Sequence, residues 1–495
     1  MAERLWPQAI LEDRRTTWVL WVLMLLLFTV GNLPWQLDDY DQAKQAFTSF
    51  QMVQEGRWLY QTTPHERIVA TKPPMVGWIS AGLFELTRSW NFAWRFPSLL
   101  TAVSIAVLLF RFSRSAYGNV ATVIAVAAFG FNLMSPRLAT LVRTDMPLAL
   151  VIFVIGGLIW NKVCKQEQWR PNDRLILFIL LTAGMLIKGP VVWAFLVPGI
   201  VAFQLWRNKP GVSAFTGVWP WMASLAVFLC WVVGGIYQVP GFYEQVVQRE
   251  FLGRFGGEIH RAQPLLFYLP HLLHKFAPWS LLLIVPAVIE LRAVNWKWRA
   301  VTISPATRWL ICWSIGGLVV MSLLPSKRVD RIFPVIPPLC LLLGAQIGAL
   351  ETALRSRQWI VRGLVATLAF AMVFTSAYVG WKASSGFLKH RNALARLGCD
   401  VRTQAVAHHW RYAILNSPDE GLLLYLRLSR FLRQETAVSE WNDGRIDALV
   451  VPTNAAGELL PRLNGASRSN IRSAESGDGS RGYSVLVRQS VPNDR

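Results

Sequence analysis

The stretch ATKPPMVGWISAGLFELTRSWNFAWRFPSLL, residues 70–100, decides how the chain is threaded through a membrane. An apolar run begins after Lys72 and two prolines and stops at Glu85 and Arg88. It is about fifteen residues long, whereas a helix that crosses a bilayer needs about 20. If residues 74–88 cross the membrane, every later loop changes sides. If they lie along its surface, the loops alternate as described below.

The composition indicates a helical membrane protein. Of the 495 residues 53% are hydrophobic, the mean hydropathy is +0.34, and long apolar runs recur as far as residue 381. A net charge of +21 would indicate a nucleic-acid partner in a soluble protein. In a membrane protein it is typical of Lys and Arg retained in cytoplasmic loops and near anionic lipids, so we expect membrane lipids and no nucleic acid as partners.

The apolar segments predict about eleven to thirteen transmembrane helices. The main predicted spans are 17–34, 96–112, 119–136, 146–160, 174–187, 190–206, 217–237, 276–291, 308–324, 333–350 and 358–381. When 74–88 is left out, the Lys and Arg clusters of the short loops all fall on one side, which the positive-inside bias makes cytoplasmic. The opening stretch is therefore predicted as an interfacial helix, with Trp78, Phe84, Trp90 and Trp94 at the membrane boundary.

The same topology predicts two domains in a bacterial inner membrane protein. Residues 1–385 form a transmembrane domain with a cytoplasmic N-terminus and two large external loops, 35–95 and 238–275. Residues 386–495 form a small external α/β domain. Within it LLLYLRLSRFLRQE, residues 422–435, is predicted as an amphipathic helix, and DALVVPT and YSVLVRQ as strands.

Charged residues from six separate stretches of the external loops fall on the predicted external side. They are Asp38, Asp39, Asp41, Lys72, Asp145, Lys188, Arg249, Arg254, His260, Arg261, Lys327, Arg328 and Arg331. Each alone fits a surface charge, a helix cap or a snorkelling lysine. Short external loops are expected to avoid Lys and Arg, however, so this set indicates an anionic ligand such as a lipid phosphate. The carboxylates among the cations indicate proton-transfer chemistry.

In this order the motifs resemble the C-type membrane glycosyltransferases, particularly the bacterial aminoarabinose transferases that modify lipid A and their protein O-mannosyltransferase relatives. The resemblance covers roughly residues 15–350. It is carried by DQAK, TKPP, RFPS, TDMPL, KGP, GEIHRAQPLLFYLPHLLHKFAPWS and SKRVDRIFPVIPP.

The resemblance implies transfer of a sugar from a polyprenyl-phosphate donor to a lipid or glycan acceptor on the external leaflet. Asp41 and Asp145 match the family's catalytic acidic positions, and Lys72, Lys188, Arg261 and Lys327 match contacts to the carrier or acceptor phosphate. Arg254 and Arg328, in the same loops, are added as candidate phosphate contacts. His260, Asp39 and Lys44 are further candidates.

Three motifs depart from the family pattern. DQAK lacks the second carboxylate of the family's Asp-Glu-x-Arg, and Thr71 stands where Glu is common. In lipid A-modifying members that Glu can join a loop His in holding a metal. We therefore assign no cofactor and leave a divalent metal at His260 open. After SKR the chain continues with Val329, Asp330 and Arg331 rather than His-Tyr or Pro-Thr-Tyr, so the sugar and the acceptor stay open.

Other functions remain to be weighed. A flippase or transporter of anionic lipids should carry ionisable residues near the middle of its spans, whereas here the charges cluster at one rim. ATP-driven transport has no support, because GxxxxGK[ST] does not occur. A protein O-glycosyltransferase of the same fold and a structural subunit with a decayed site are the remaining alternatives.

Overall fold

The structure, a computed structural model, describes residues 6–37, 40–64, 68–206, 213–253, 262–293, 303–350, 358–471, 474–475 and 482–488. Most of them are helical. In chain order the helices are α1 (Trp6–Glu12), α2 (Arg14–Val30), α3 (Tyr40–Glu55), α4 (Met75–Thr87), α5 (Trp90–Gly130), α6 (Ser135–Ala139), α7 (Asp145–Lys165), α8 (Pro171–Lys188), α9 (Val191–Trp206), α10 (Trp219–Gln238), α11 (Tyr268–Lys275), α12 (Trp279–Ala293), α13 (Pro305–Leu323), α14 (Ile336–Ala349), α15 (Gln358–Leu388), α16 (Ala393–His408), α17 (Glu420–Tyr425), α18 (Gln434–Asn442) and α19 (Thr453–Leu459). A π-helix spans Tyr243–Leu252, and 3-10 turns span Leu265–Phe267, Val329–Val335 and Leu460–Arg462.

Six stretches of the described chain are long and apolar enough to cross a bilayer. They are Trp90–Gly130, Asp145–Lys165, Trp219–Gln238, Pro305–Leu323, Val329–Ala349 and Gln358–Leu388. The larger count expected from the sequence stays a prediction, because other apolar helices are shorter; α9, for example, has 16 residues. The multipass character expected from the composition is confirmed.

The opening stretch forms the short helix α4 and the start of α5. Helix α4 has 13 residues, or about 20 Å at 1.5 Å per residue, against the roughly 30 Å of a bilayer core. It ends where Arg88 takes the left-handed conformation, with φ 53°. Trp90 and Trp94 are only 3% and 2% exposed. Trp90 stacks between Phe84 and Trp94 inside the protein, and the place of these residues at the membrane boundary stays a prediction.

Helix α5 contains a break that separates two predicted spans. It runs for 41 residues, but Gly118 has φ 82° and ψ −176°, far from helical values. Glycine takes a positive φ without the steric penalty of a Cβ atom. The predicted spans 96–112 and 119–136 therefore lie on either side of a turn at Gly118.

The chain divides into two compact units. The first contains Met1–Gly31 and Thr71–Gly380, and the second contains Asn32–Ala70 and Trp381–Arg495. Residues 32–70, part of the predicted external loop 35–95, thus fold with the C-terminal region, whereas α4 belongs to the helical unit.

Small residues allow the helices of the first unit to pack closely. A Cβ atom on Gly316 of α13 would lie 2.5 Å from the backbone nitrogen of Gly199 on α9, and one on Gly156 of α7 would lie 2.2 Å from the ring of Trp313. Trp309 donates from its indole nitrogen to the Gly156 carbonyl oxygen at 3.0 Å. Close helix approach at glycines is typical of membrane helix packing, and here it brings α13 against both α9 and α7.

The second unit combines helices with a five-stranded sheet. Its strands are β1 (Tyr412–Ile414), β2 (Ala448–Pro452), β3 (Ala466–Arg468), β4 (Ala474–Glu475) and β5 (Gly482–Arg488). Strand β1 pairs in parallel with β2, and β5 pairs antiparallel with β2, β3 and β4. Strands thus form in both DALVVPT and YSVLVRQ. Trp441 and Leu486 lie in the core on one face of the sheet.

The predicted helix over residues 422–435 is wrong. Helix α17 ends at Tyr425, and Arg427 takes the left-handed conformation with φ 61°. Leu432 then pairs with Leu415 as an isolated parallel bridge beside β1. The apolar residues of this segment have the spacing of an amphipathic helix. In the structure they are instead divided among a short helix, a turn and a β-bridge, and each of these buries some of them.

Candidate functional site

Asp145 and Lys188 form an ion pair at one end of the α7–α8 hairpin. Asp145 is the first residue of α7, and Lys188 is the last residue of α8. The two helices run in opposite directions, so these residues meet although they are 43 positions apart, with 2.5 Å between Lys188 Nζ and Asp145 Oδ1. Their side chains are 9% and 14% exposed. A carboxylate at a helix start and an ammonium at a helix end also agree with the helix dipoles.

Other cations surround this pair. The charges of Lys72 and Arg143 act on Asp145, and those of Lys72 and Arg331 act on Lys188. Lys72 belongs to the segment before α4, and Arg331 belongs to the 3-10 turn before α14. Four predicted loops therefore contribute charge to one cluster. Within the part of the chain that the structure describes, Asp145, Lys72 and Lys188 are brought together as the sequence indicates.

Asp330 binds two arginines beside this cluster. Arg137 donates to Asp330 Oδ1 at 3.1 Å, and Arg143 donates to Asp330 Oδ2 at 2.9 Å. Arg143 and Asp330 are buried, whereas the Arg137 side chain is 40% exposed. Arg143 lies two positions before Asp145, so Asp330 connects the 326–331 loop to the segment that begins α7. The three side chains fix the position of that segment.

Tyr268 and Lys327 lie on two segments that meet beside Asp145. The Tyr268 hydroxyl lies near the Arg328 backbone, and the charges of Arg331 and Asp145 act on it. Burial raises the pKa of this hydroxyl. Lys327 donates to the Gln263 carbonyl oxygen at 3.0 Å, and burial lowers the pKa of its ammonium group. The 262–268 segment and the 326–331 loop thus meet beside Asp145.

The remaining predicted site residues fall in other places. Asp41 and Lys44 lie on α3 in the second unit, so their expected association with Asp145 stays a prediction. Arg328 is partly buried at the start of the 3-10 turn Val329–Val335. Asp39, Arg254, His260 and Arg261 lie outside the described residues.

Sequence reasoning missed four residues of this cluster. Arg137 and Arg143 are separated from Asp330 by 193 and 187 positions, and Tyr268 stands in a largely apolar loop. One signal was available for Asp330, because it is a single acid among the cations of SKRVDR. A buried carboxylate in such a motif needs partners, and arginines are suited to it.

One described residue, Thr71, departs from the metal site that the resemblance to lipid A-modifying transferases implies. Thr71 supplies a hydroxyl where those members have a carboxylate, and His260 lies outside the described residues. Among the residues that the structure describes, no group of three His, Cys, Asp or Glu side chains could hold a metal ion. No step below is therefore assigned to a metal.

The cluster is suited to holding a phosphate. Lys and Arg donate charge-assisted hydrogen bonds to phosphate oxygens, and cations preorganised in a partly dry site stabilise charge that develops on a leaving group. Asp145 holds the Lys188 ammonium at a defined position, and Asp330 does the same for two guanidinium groups. Fixed donors lose little conformational entropy when the anion arrives.

Comparison with known proteins agrees with this chemistry. Residues 71–237 match a family model described as dolichyl-phosphate-mannose-protein mannosyltransferase. The undecaprenyl phosphate-alpha-4-amino-4-deoxy-L-arabinose arabinosyl transferase 1 of Sodalis glossinidius is 28% identical over 387 residues, which are 75% of this chain and 64% of that protein. The corresponding transferase of Erwinia tasmaniensis is 25% identical over 67% of this chain and 60% of that protein. The chain thus spans less than two thirds of these relatives.

A solved structure shares the fold along almost the whole chain. ArnT from Cupriavidus metallidurans bound to undecaprenyl phosphate superposes with a TM-score of 0.67 at 17% identity, covering 95% of this chain and 98% of that one. The resemblance drawn from the motifs is confirmed as a likeness: residues 71–237 match the mannosyltransferase family model, and the chain shares the fold of ArnT.

Proposed function

We propose that the protein is a glycosyltransferase that moves a sugar from an undecaprenyl-phosphate-type carrier to a lipid acceptor. The observation that carries this proposal is the gathering of Lys72, Arg143 and Arg331 around the Asp145–Lys188 pair. It occurs in a fold shared with an ArnT that was crystallised with undecaprenyl phosphate. The curated relatives are named for 4-amino-4-deoxy-L-arabinose, which is therefore the first sugar to test.

The proposed reaction is a displacement at the anomeric carbon. The acceptor oxygen forms a new bond to that carbon while the bond from the carbon to the carrier phosphate oxygen breaks. The carrier phosphate leaves with the bonding electrons, and Lys72 and Lys188 neutralise its additional negative charge. Asp41 takes the proton of the acceptor hydroxyl, and Asp145 orients Lys188. Arg254, Arg261, Lys327 and Arg328 stay candidate contacts to the carrier or acceptor phosphate.

We place the reaction at the external face of a bacterial inner membrane. Leaving residues 74–88 out of the spans puts the Lys and Arg clusters of the short loops in the cytoplasm, and the short helix α4 supports that choice. The N-terminus is then cytoplasmic, and residues 386–495 are external. A sugar carried on a polyprenyl phosphate needs no nucleotide at this face.

The matched family model favours one alternative acceptor. It is described as a protein mannosyltransferase, so transfer to a protein hydroxyl is the second candidate function. The flippase alternative has less support, because Asp145 and Lys188 lie at helix ends, the first residue of α7 and the last of α8, whereas a transport route places such residues within the spans.

Reconstitution tests the proposal directly. The full-length protein in proteoliposomes is given undecaprenyl-phosphate-linked aminoarabinose together with lipid A or an envelope protein extract, and products are identified by mass spectrometry. Transfer to lipid A supports the main proposal, and transfer to protein supports the alternative. Movement of the carrier between leaflets without any glycosylated product would overturn both.

The variant Lys188→Met should lower transfer about 10³-fold in this assay. Lys165→Gln is a matched control, because Lys165 is exposed at the opposite end of the same helical hairpin. Equal activity of the two variants would remove the Asp145–Lys188 cluster from the mechanism.

A further inference from the structure

The segment that carries Asp41 is attached to the C-terminal part of the chain. Residues 32–70 and 381–495 form one compact unit, and α3, which begins at Tyr40, lies beside the short helix α17. Asp41 stands in the first turn of α3. Its position therefore depends on contacts with residues almost 400 positions later in the sequence.

The contacts before Asp41 centre on Leu37. Its buried backbone N–H donates to the Tyr425 hydroxyl oxygen at 2.7 Å. A Cβ atom on Gly421 would lie 2.4 Å from the Leu37 carbonyl oxygen, so this close approach requires glycine. Tyr425 is held from the other side by Gly398 of α16, where a Cβ atom would lie 2.5 Å from Tyr425 Cβ. The anchor for Leu37 is thus itself packed in place.

The contacts after Asp41 fix the rotation of α3. Ala43, Ala46 and Phe47 are buried, whereas Asp41 stays partly exposed in the same two turns. Lys44 lies one turn beyond Asp41, and its charge acts on Glu420, which is buried at the start of α17. Residues 42, 43 and 45–50 are all buried, so α3 is enclosed on most sides, and Asp41 and Lys44 are the partly exposed positions of its first two turns. A helix packed in this way cannot rotate freely, so the Asp41 side chain is held in a defined direction.

From these contacts we propose that residues 381–495, here called the C-terminal unit, position the catalytic carboxylate of Asp41 through Tyr425, Gly421 and Glu420. The inference rests on the proposed function for the role of Asp41. Tyr425, Gly421 and Glu420 touch neither donor nor acceptor in this account. They hold Leu37 and the first turns of α3 so that Asp41 meets the acceptor hydroxyl at a reactive distance.

Two variants and one control test the proposal in the full-length protein. Tyr425→Phe removes the acceptor of the Leu37 N–H, and Gly421→Ala forces the Leu37 carbonyl away. Gly457→Ala is the control, because Gly457 lies in a helix of the same unit and a Cβ atom there meets nothing within 4 Å. Hydrogen exchange of a peptide covering residues 34–47 reports the attachment, and transfer kinetics report its effect.

We expect both variants to raise amide exchange in residues 34–47 at least about tenfold and to lower kcat about tenfold or more. The KM for the polyprenyl-phosphate donor should change less than about twofold, since the donor is held elsewhere. The control should match the wild type in both measurements. A general folding defect would instead raise exchange throughout the unit.

The outcomes separate this inference from the proposed function. Unchanged exchange and unchanged kcat in both variants, with Asp41→Asn inactive, would overturn the positioning role and leave the transferase intact. Full activity of Asp41→Asn would remove Asp41 from the mechanism. Amide hydrogen exchange of residues 34–47 in Tyr425→Phe would then decide by itself whether the C-terminal unit holds that segment.

Discussion

The two ends of α7 carry buried ion pairs of different construction. At its start, the Asp145 carboxylate meets Lys188 and lies under the influence of Lys72 and Arg143. At its end, Lys162 meets two carboxylates, Asp173 at 2.8 Å and Glu167 at 3.2 Å. At the Asp145 end several cations surround one carboxylate, whereas at the Lys162 end two carboxylates bind one cation.

The comparison shows that a charge at a helix terminus is not by itself a sign of function. The helix dipole favours an acid at the start of α7 and a base at its end, and both ends obey that rule. At the Lys162 end the ion pairs and the further charge of Arg170 that acts on Asp173 all come from the hairpin itself. At the Asp145 end the charge comes from distant loops and is predominantly positive, which is suited to an incoming anion.

Removing the cation at each end of α7 should give the largest difference in transfer rate between the two ends. We expect Lys188→Met to lower the transfer rate about 10³-fold, because a preorganised charge beside the leaving phosphate is lost. Lys162→Gln should keep transfer within about threefold of the wild type while lowering the thermal midpoint, since the buried Lys162 ammonium and its partner Asp173 then lose their ion pair. Initial rates and thermal unfolding of both variants measure this. Equal loss of transfer would contradict the assignment.

Asp330 provides the next largest effect. Asp330→Asn should lower transfer about 30-fold and destabilise the protein by about 3 kcal/mol, because two arginines lose a buried carboxylate. The kcat should fall more than the KM for the acceptor rises, since the arginines are displaced rather than deleted. Steady-state kinetics and chemical unfolding test this. Wild-type kinetics in a destabilised Asp330→Asn variant would reduce Asp330 to a structural ion pair.

A carboxylate of the second unit gives a pH-dependent effect. Burial raises the pKa of Glu420 from its usual 4.5 to about 7, although the Lys44 charge lowers it. The folded protein therefore binds more protons than the unfolded chain between these values, and stability present below pH 4.5 is lost as the pH rises toward 7. The change should be about 1–3 kcal/mol. Hydrogen exchange in β2 and β5 between pH 5 and 8 measures it, and Glu420→Gln should flatten the profile. An identical slope in both proteins would exclude Glu420 as the cause.

The smallest effect is expected at the Lys162 end of α7, from the loss of the Glu167 carboxylate. The Glu167 side chain is 42% exposed, and Lys162 keeps Asp173 without it. Glu167→Gln should therefore change stability by less than about 0.5 kcal/mol and leave transfer unchanged. Thermal unfolding and initial rates are sufficient. A large loss of transfer would show that this end also takes part in the reaction.

Part of this arrangement could be predicted from the sequence, and the physical reason is local. Asp145 and Lys188 lie at the ends of consecutive apolar segments, so alternation through a bilayer places them together, as observed. Asp330 finds its arginines across 187 and 193 positions, and Leu37 meets Tyr425 across 388. No periodicity or loop charge encodes such pairs. The amphipathic spacing of residues 422–435 failed because tertiary pairing of Leu432 replaced the helix.

The most direct test of the central claim is a structure of the protein with undecaprenyl phosphate bound. We expect the phosphate oxygens to lie within about 4 Å of the Lys72 or Lys188 ammonium, the usual range of an ion pair. A phosphate bound at the Lys162 end of α7, with the Asp145 end making no contact to it, would contradict the account.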